Sequence, residues 1–148
     1  MKKYVLDTSL YVHAFRSVPG EEALLRFYAG FAPLTYISSV VVHELLIGAS
    51  TPAKERQIRD IVARPFRRTR RMLTPTGAAW EEAATAIARS TKRLHRDFRT
   101  MPKSLVNDFL LAASCRESGV TLITENVNDF EMISRYIGLS FEPAWPSQ

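Results

Sequence analysis

Two rhythms of hydrophobic and polar positions alternate along this chain. Short apolar runs, bounded by capping residues, Gly or Pro, are separated by longer stretches whose apolar residues recur every three to four positions. The short runs predict strands at Lys3–Leu6, Leu34–Ile37, Thr69–Leu73, Val120–Ile123 and Leu139–Phe141. The longer stretches predict helices. Asp7-Thr8-Ser9 caps one that reaches Phe15, Pro19 and Gly20 break it, and a second covers Glu21–Ala29. Ser38 or Ser39 caps Val40–Ala49, and a charged helix runs from Pro52 to Ala63, ended by Pro65. Thr76 caps a long helix with Trp80 and Ile87 on its apolar side. Pro102 and Ser104 open another, closed by Gly119 in the left-handed cap position, and Asn128–Tyr136 forms the last. Strands alternating with helices predict an α/β fold, a parallel sheet with helices on both faces. In such folds ligands bind outside the carboxyl ends of the strands.

Composition narrows the class. The 148 residues are 46% hydrophobic and 24% charged, which predicts one globular domain over 1–148 rather than a disordered chain. The longest uncharged run, Phe27 to Val42, contains Gly30 and Pro33 and falls short of the roughly 18 to 20 residues needed to span a bilayer. Asp7 interrupts the apolar stretch after Lys2 and Lys3, so no secretory leader is read and a cytoplasmic location is expected. Cys115 stands alone, which excludes an internal disulfide and a cysteine-cluster zinc site. The net charge of +5 conceals a division: residues 54–103 carry +9 and the remainder −4. Each basic run, Arg64–Arg71 and Lys92–Arg99, reads by itself as a solvated helical face. Together, with Phe66, Phe98 and His95 interleaved, they fit a rim for a nucleic-acid backbone, through Arg67, Arg68, Arg70, Arg71, Lys92, Arg93, Arg96 and Arg99.

Four acids carry the candidate chemistry. Asp7 follows the first strand, where it serves as a helix cap, a ligand or both. Glu44 falls between Val40 and Val41 on a helical wheel with Ile47 on the same side, so it projects from an apolar face. There an ionised carboxylate needs a partner, either a cation or a buried Arg. Its neighbour His43 reads as a helix-surface residue. Asp108 lies in the first turn of a largely apolar helix, a place the helix dipole favours by about 0.3 to 1 kcal/mol. After the fourth strand, Asn126 and Asp129 are spaced to cap a helix or to turn an amide oxygen and a carboxylate to one point. Acids converging on one sheet edge repel unless a cation lies between them, and an all-oxygen set suits Mg²⁺ or Mn²⁺. Such an ion promotes phosphodiester hydrolysis.

The ordered set of LDTS at Asp7, ISSVVVHELLIGA around Glu44, VNDFLLAAS at Asp108 and TLITENVNDF containing Asp129 resembles the PIN domain, specifically the VapC-type toxins of bacterial toxin–antitoxin pairs. The resemblance implies a three-layer α/β/α sandwich around a five-stranded parallel sheet, and a Mg²⁺-dependent endoribonuclease. It further implies that Asp7, Glu44 and Asp108 hold the metal, with Asp129 supporting it or its water. Thr8 is then expected beside the site, and Asn126 is expected to assist Asp129. RNA as substrate, a cognate antitoxin as partner and a homodimer also follow from the resemblance. Glu125 departs from the family pattern, which often has a basic or small residue there.

Two other classes compete. A phosphatase or receiver-like domain would use Asp7 as a nucleophile, although Ser9 stands where a haloacid-dehalogenase-type site has a second Asp and no Lys follows Lys103. A non-catalytic basic module binding RNA or protein would keep the carboxylates as structural groups only.

Overall fold

The structure is a computed structural model that describes residues 1–145. Five strands, β1 (Tyr4–Leu6), β2 (Thr35–Ser38), β3 (Met72–Leu73), β4 (Thr121–Thr124) and β5 (Ser140–Pro143), pair in parallel in the order β3-β2-β1-β4-β5. Tyr4 aligns with Thr35 on one side and Thr121 on the other, so the central strands are level. The strand order reverses between β1 and β4. Right-handed crossovers then place the connections of the two halves on opposite faces, giving the expected α/β/α layering. A reversal point opens a crevice at the carboxyl edge.

The helices are α1 (Thr8–Arg16), α2 (Val18–Phe31), α3 (Ser39–Ile47), α4 (Pro52–Gln57), α5 (Arg64–Arg68), α6 (Gly77–Arg93), α7 (Lys103–Ser118) and α8 (Val127–Ser134). Strand residues Val5, Leu6, Ile37, Leu122 and Ile123 are fully buried, and α7 runs through the core from Phe109 to Cys115. Among the described residues no helix is long and apolar enough to cross a membrane.

Several boundaries differ from expectation, each for a local reason. Pro19 does not break a helix. Ser17 ends α1 and caps α2, its Oγ accepting from the Gly20 N–H at 3.1 Å, so Pro19 sits in the first turn, where no N–H is needed. Pro65 likewise does not end its helix. Lacking an N–H and crowding the carbonyl four residues back, it is preceded by a wider π turn over Ile58–Ala63, and α5 continues through it. The third strand is only Met72–Leu73, because Arg70 turns the chain at φ 55° and the preceding residues are still helical. Trp80 is 60% exposed; α6 packs instead through Ala79, Ala83 and Ala86, small residues that let it lie close to α7. Ser38, rather than Ser39, caps α3, and Gly119 adopts φ 65° after α7 as expected.

Candidate functional site

The reversal between β1 and β4 gathers the acidic residues. Asp7 leaves β1 and caps α1 at once. Its Oδ1 accepts from the Thr8 N–H at 2.8 Å, its Oδ2 from the Thr124 hydroxyl at 2.8 Å, and its own N–H donates to the Ile123 carbonyl at 2.9 Å. The Thr124 Oγ1 accepts in turn from the Asn126 N–H at 2.9 Å, and Asn126 Nδ2 donates to Asp129 Oδ2 at 2.7 Å. One chain of hydrogen bonds thus joins Asp7 to Asp129 across the end of β4. From the other side, Thr8 Oγ1 donates to Glu44 Oε1 at 2.9 Å, and the Asn107 side chain lies near enough to Glu44 to favour its charged form.

Asp108 completes the group. Burial is the largest cause pushing its carboxyl up to about 8, followed by the negative charges of Asp7, Glu44 and Asp129. All three of the other acids act on Asp108, so the structure brings the four sequence candidates together. Burial also raises Asp7 and Glu44. The Thr124 and Thr8 hydrogen bonds oppose it at Asp7, the Thr8 bond and the Asn107 side chain oppose it at Glu44, and Asp7 adds repulsion to Glu44. Among the described residues no Lys or Arg forms an ion pair with any of the four.

Nor do any three acids, histidines or cysteines among the described residues stand close enough around one point to form a finished metal cage. The donor set nevertheless fits a hard divalent cation. It offers carboxylate oxygens only, it is partly buried, and among the described residues no Lys or Arg pairs with its negative charge.

Two positional expectations are corrected. Asp108 lies in the second turn of α7, not the first, because the helix already begins at Lys103; burial and neighbouring acids, not the helix terminus, set its environment. Glu44 does sit beside buried Val40 and Val41, but Ile47 is 71% exposed, so the apolar face of α3 ends at Glu44. His43 is exposed, as expected. Glu125 is exposed and accepts from His13 Nδ1, with contacts of 2.9 and 3.1 Å to its two oxygens. Sequence reasoning missed Thr124, Asn107 and His13. Thr124 had a signal, since it ends a strand at the edge where the acids meet.

The basic residues separate into two places. Arg67, Arg68, Arg70 and Arg71 precede β3 and lie at the amino edge of the sheet, opposite the acids. Arg71 is a structural residue there, donating to the Ala32 carbonyl and, at 3.2 Å, to the Thr35 carbonyl, with its guanidinium 5.7 Å from the Phe66 ring centre. Phe66 is buried and has no face free for a base, whereas Phe98 is 62% exposed. The second run lies differently. Glu117, near the end of α7, holds the Thr76 N–H at the start of α6 at 3.0 Å, and Arg116 pairs with Glu82. The two helices are therefore antiparallel, and Lys92 and Arg93 at the end of α6 lie with the first turns of α7, towards Asp108. Arg96 follows in the connecting loop, and Arg99 is paired with Asp97 at 3.0 Å.

Comparison with known proteins fits this geometry. The PIN domain profile matches residues 4–135. A search of curated proteins finds no match. Among solved structures, the chain is similar to FitAB bound to an IR36 DNA fragment, at 15% identity over 98% of this chain and 97% of that one, with a TM-score of 0.70. It is also similar to DNA-bound VapBC from Salmonella typhimurium, at 22% identity, 97% and 98% coverage and a TM-score of 0.69. VapBC-1 from nontypeable Haemophilus influenzae gives 20% identity, 95% and 96% coverage and a TM-score of 0.65. At these identities the likeness shows the fold.

Proposed function

This chain belongs to the PIN domain family, and on that premise we propose that it is a divalent-metal-dependent endoribonuclease, the toxin of a VapBC-type toxin–antitoxin pair. The observation that carries the reading is the set Asp7, Glu44, Asp108 and Asp129. Four acids from four separate segments act on one another at the strand-order reversal, and among the described residues no basic side chain pairs with any of them. A purely structural role would leave the carboxylates unpaired, with only protonation to relieve their repulsion. The alternative of Asp7 as a phosphatase or receiver-type nucleophile is disfavoured because Ser9 stands where a haloacid-dehalogenase-type site has its second Asp and no Lys follows Lys103.

Asp7, Glu44 and Asp108 would hold Mg²⁺ or Mn²⁺, with Asp129 on the ion or its water. When bound, such an ion lowers the pKa of a coordinated water and neutralises charge on the phosphodiester during in-line displacement. The protein's own part is positioning. Thr8 fixes one oxygen of Glu44, with Asn107 beside it, Thr124 and the Thr8 N–H fix those of Asp7, and Asn126 fixes Asp129. Lys92, Arg93 and Arg96 lie towards this edge and would track the RNA backbone.

A cognate antitoxin, a homodimer, a single domain over 1–148 and a cytoplasmic location belong to the same reading. A groove of about 500 Å³, lined by Tyr11, Leu24, Tyr28 and Phe66 with Phe15, Leu25 and Ile61 exposed at its margins, supports a protein partner. The test is incubation of the purified protein with total RNA and Mg²⁺ or Mn²⁺. Cleavage is expected, and it should disappear in EDTA and in Asp7→Asn. Cleavage that persists under either condition overturns the proposal.

A further inference from the structure

A cavity of about 480 Å³ adjoins the carboxylates, lined on one side by His43, Glu44 and Ile47 of α3 and on the other by Lys103, Ser104, Val106 and Asn107 of α7. It shares Glu44 with the candidate metal centre. Asn107 both lines the cavity and lies beside Glu44, favouring its charged form, so the two compartments touch. Ile47 is 71% exposed, whereas Val40, Val41, Val42 and Leu45 of the same helix are buried, so folding does not require an apolar residue at this position.

We propose that this cavity is a nucleobase subsite, receiving the unstacked base of a nucleotide next to the scissile phosphate of single-stranded RNA. The inference rests on the ribonuclease reading above and extends it to substrate recognition. Three features argue for a base rather than a protein segment. Ile47 and Val106 offer apolar surface to the flat face of a ring. Ser104 and Asn107 offer hydrogen-bonding groups to its edge. Lys103 at the rim offers a cation to the next phosphate, in line with the basic end of α6. Only a ligand that straddles Glu44 uses both compartments at once, and a nucleotide carries a base and a phosphate in one molecule. An apolar peptide would leave the polar half of the cavity and Lys103 unmatched.

The experiment is single-turnover cleavage of a defined single-stranded RNA by the purified protein with Mn²⁺, comparing the intact oligonucleotide with versions made abasic at one position at a time. Wild type and Ile47→Ala are compared, with Ser104→Ala as a second variant, and thermal melts check that each variant is folded. Removal of the base at one fixed position beside the cut is expected to lower kcat/KM by about 5- to 30-fold in the wild type. Ile47→Ala should lose a similar factor on intact RNA and be insensitive to the abasic change, because both remove the same contact. Ser104→Ala should alter which bases are cut, read by sequencing the product ends. If the abasic penalty is the same in Ile47→Ala as in the wild type, the subsite is overturned while the ribonuclease reading stands. If Ile47→Ala instead changes the oligomeric state in light scattering and leaves base preference untouched, the cavity is a contact between copies and the proposal fails. No cleavage by the wild type overturns both.

Discussion

Thr124 ends β4 with its hydroxyl between two residues of the candidate site, donating to Asp7 Oδ2 and accepting from the Asn126 N–H. Its side chain is fully buried, so neither bond is replaced by water when it is removed. Thr124→Val keeps the shape and deletes the hydroxyl. Asp7 then loses the hydrogen bond that most strongly opposes the effect of its burial, and Asn126 loses the anchor that aims it at Asp129. The expected outcome is about a 10- to 100-fold weaker Mn²⁺ affinity by calorimetry with little change in fold, the usual cost of removing a group that orients a metal ligand. Unchanged affinity would show that Asp7 is positioned by its helix cap alone. The four acids were legible in the sequence because each sits just after a strand or on an apolar helix face. Thr124 and Asn107 were less so, since a Thr in a strand and an Asn in a helix are ordinary until the partner across the sheet is known.

At the level of elements, strand order explains why two similar basic runs are not equivalent. Arg67, Arg68 and Arg70 come before β3 and Lys92, Arg93 and Arg96 come at or after the end of α6, so the sheet separates them. Linear charge plots cannot show this, because which end of a helix meets the site depends on its antiparallel packing with α7. The same blindness affected Pro65 and Trp80, where a π turn and an alanine face decided the outcome. By contrast the strand sequence, the cap at Thr76 and the Gly119 terminus are local chemistry and were readable directly. The prediction at this scale is a comparison in the cleavage-dead Asp7→Asn background. Reversing Lys92, Arg93 and Arg96 to Glu should weaken binding to single-stranded RNA at least about 10-fold and reduce the salt dependence by roughly two in log–log slope. Reversing Arg67, Arg68 and Arg70 should leave both unchanged. Fluorescence anisotropy over a salt series reads both quantities, and equal losses from the two triplets would mean that RNA contacts both sheet edges.

For the whole molecule, the acidic centre makes stability depend on pH and metal together. Asp108 is raised to about 8 in the fold against an ordinary value of 3.8, and burial moves Asp7 and Glu44 in the same direction. Between those two values the folded protein binds more protons than the unfolded chain. The favourable contribution of the protonated carboxyl is therefore complete below about 4 and is lost as pH rises towards 8. Without metal the melting temperature should fall by roughly 5 to 15 °C from pH 5 to pH 8. A divalent cation binds the deprotonated form, so it should raise the melting temperature much more at pH 8 than at pH 5, where protons compete for the same oxygens. Asp108→Asn removes the largest of these titrations. In EDTA it should flatten the pH dependence and be more stable than the wild type at pH 8, while losing most of the stabilisation by Mn²⁺. Scanning calorimetry across pH, with and without Mn²⁺, separates the outcomes. A wild type whose EDTA curve is flat, or whose metal stabilisation is the same at both pH values, would mean that the four carboxylates are not one coupled site.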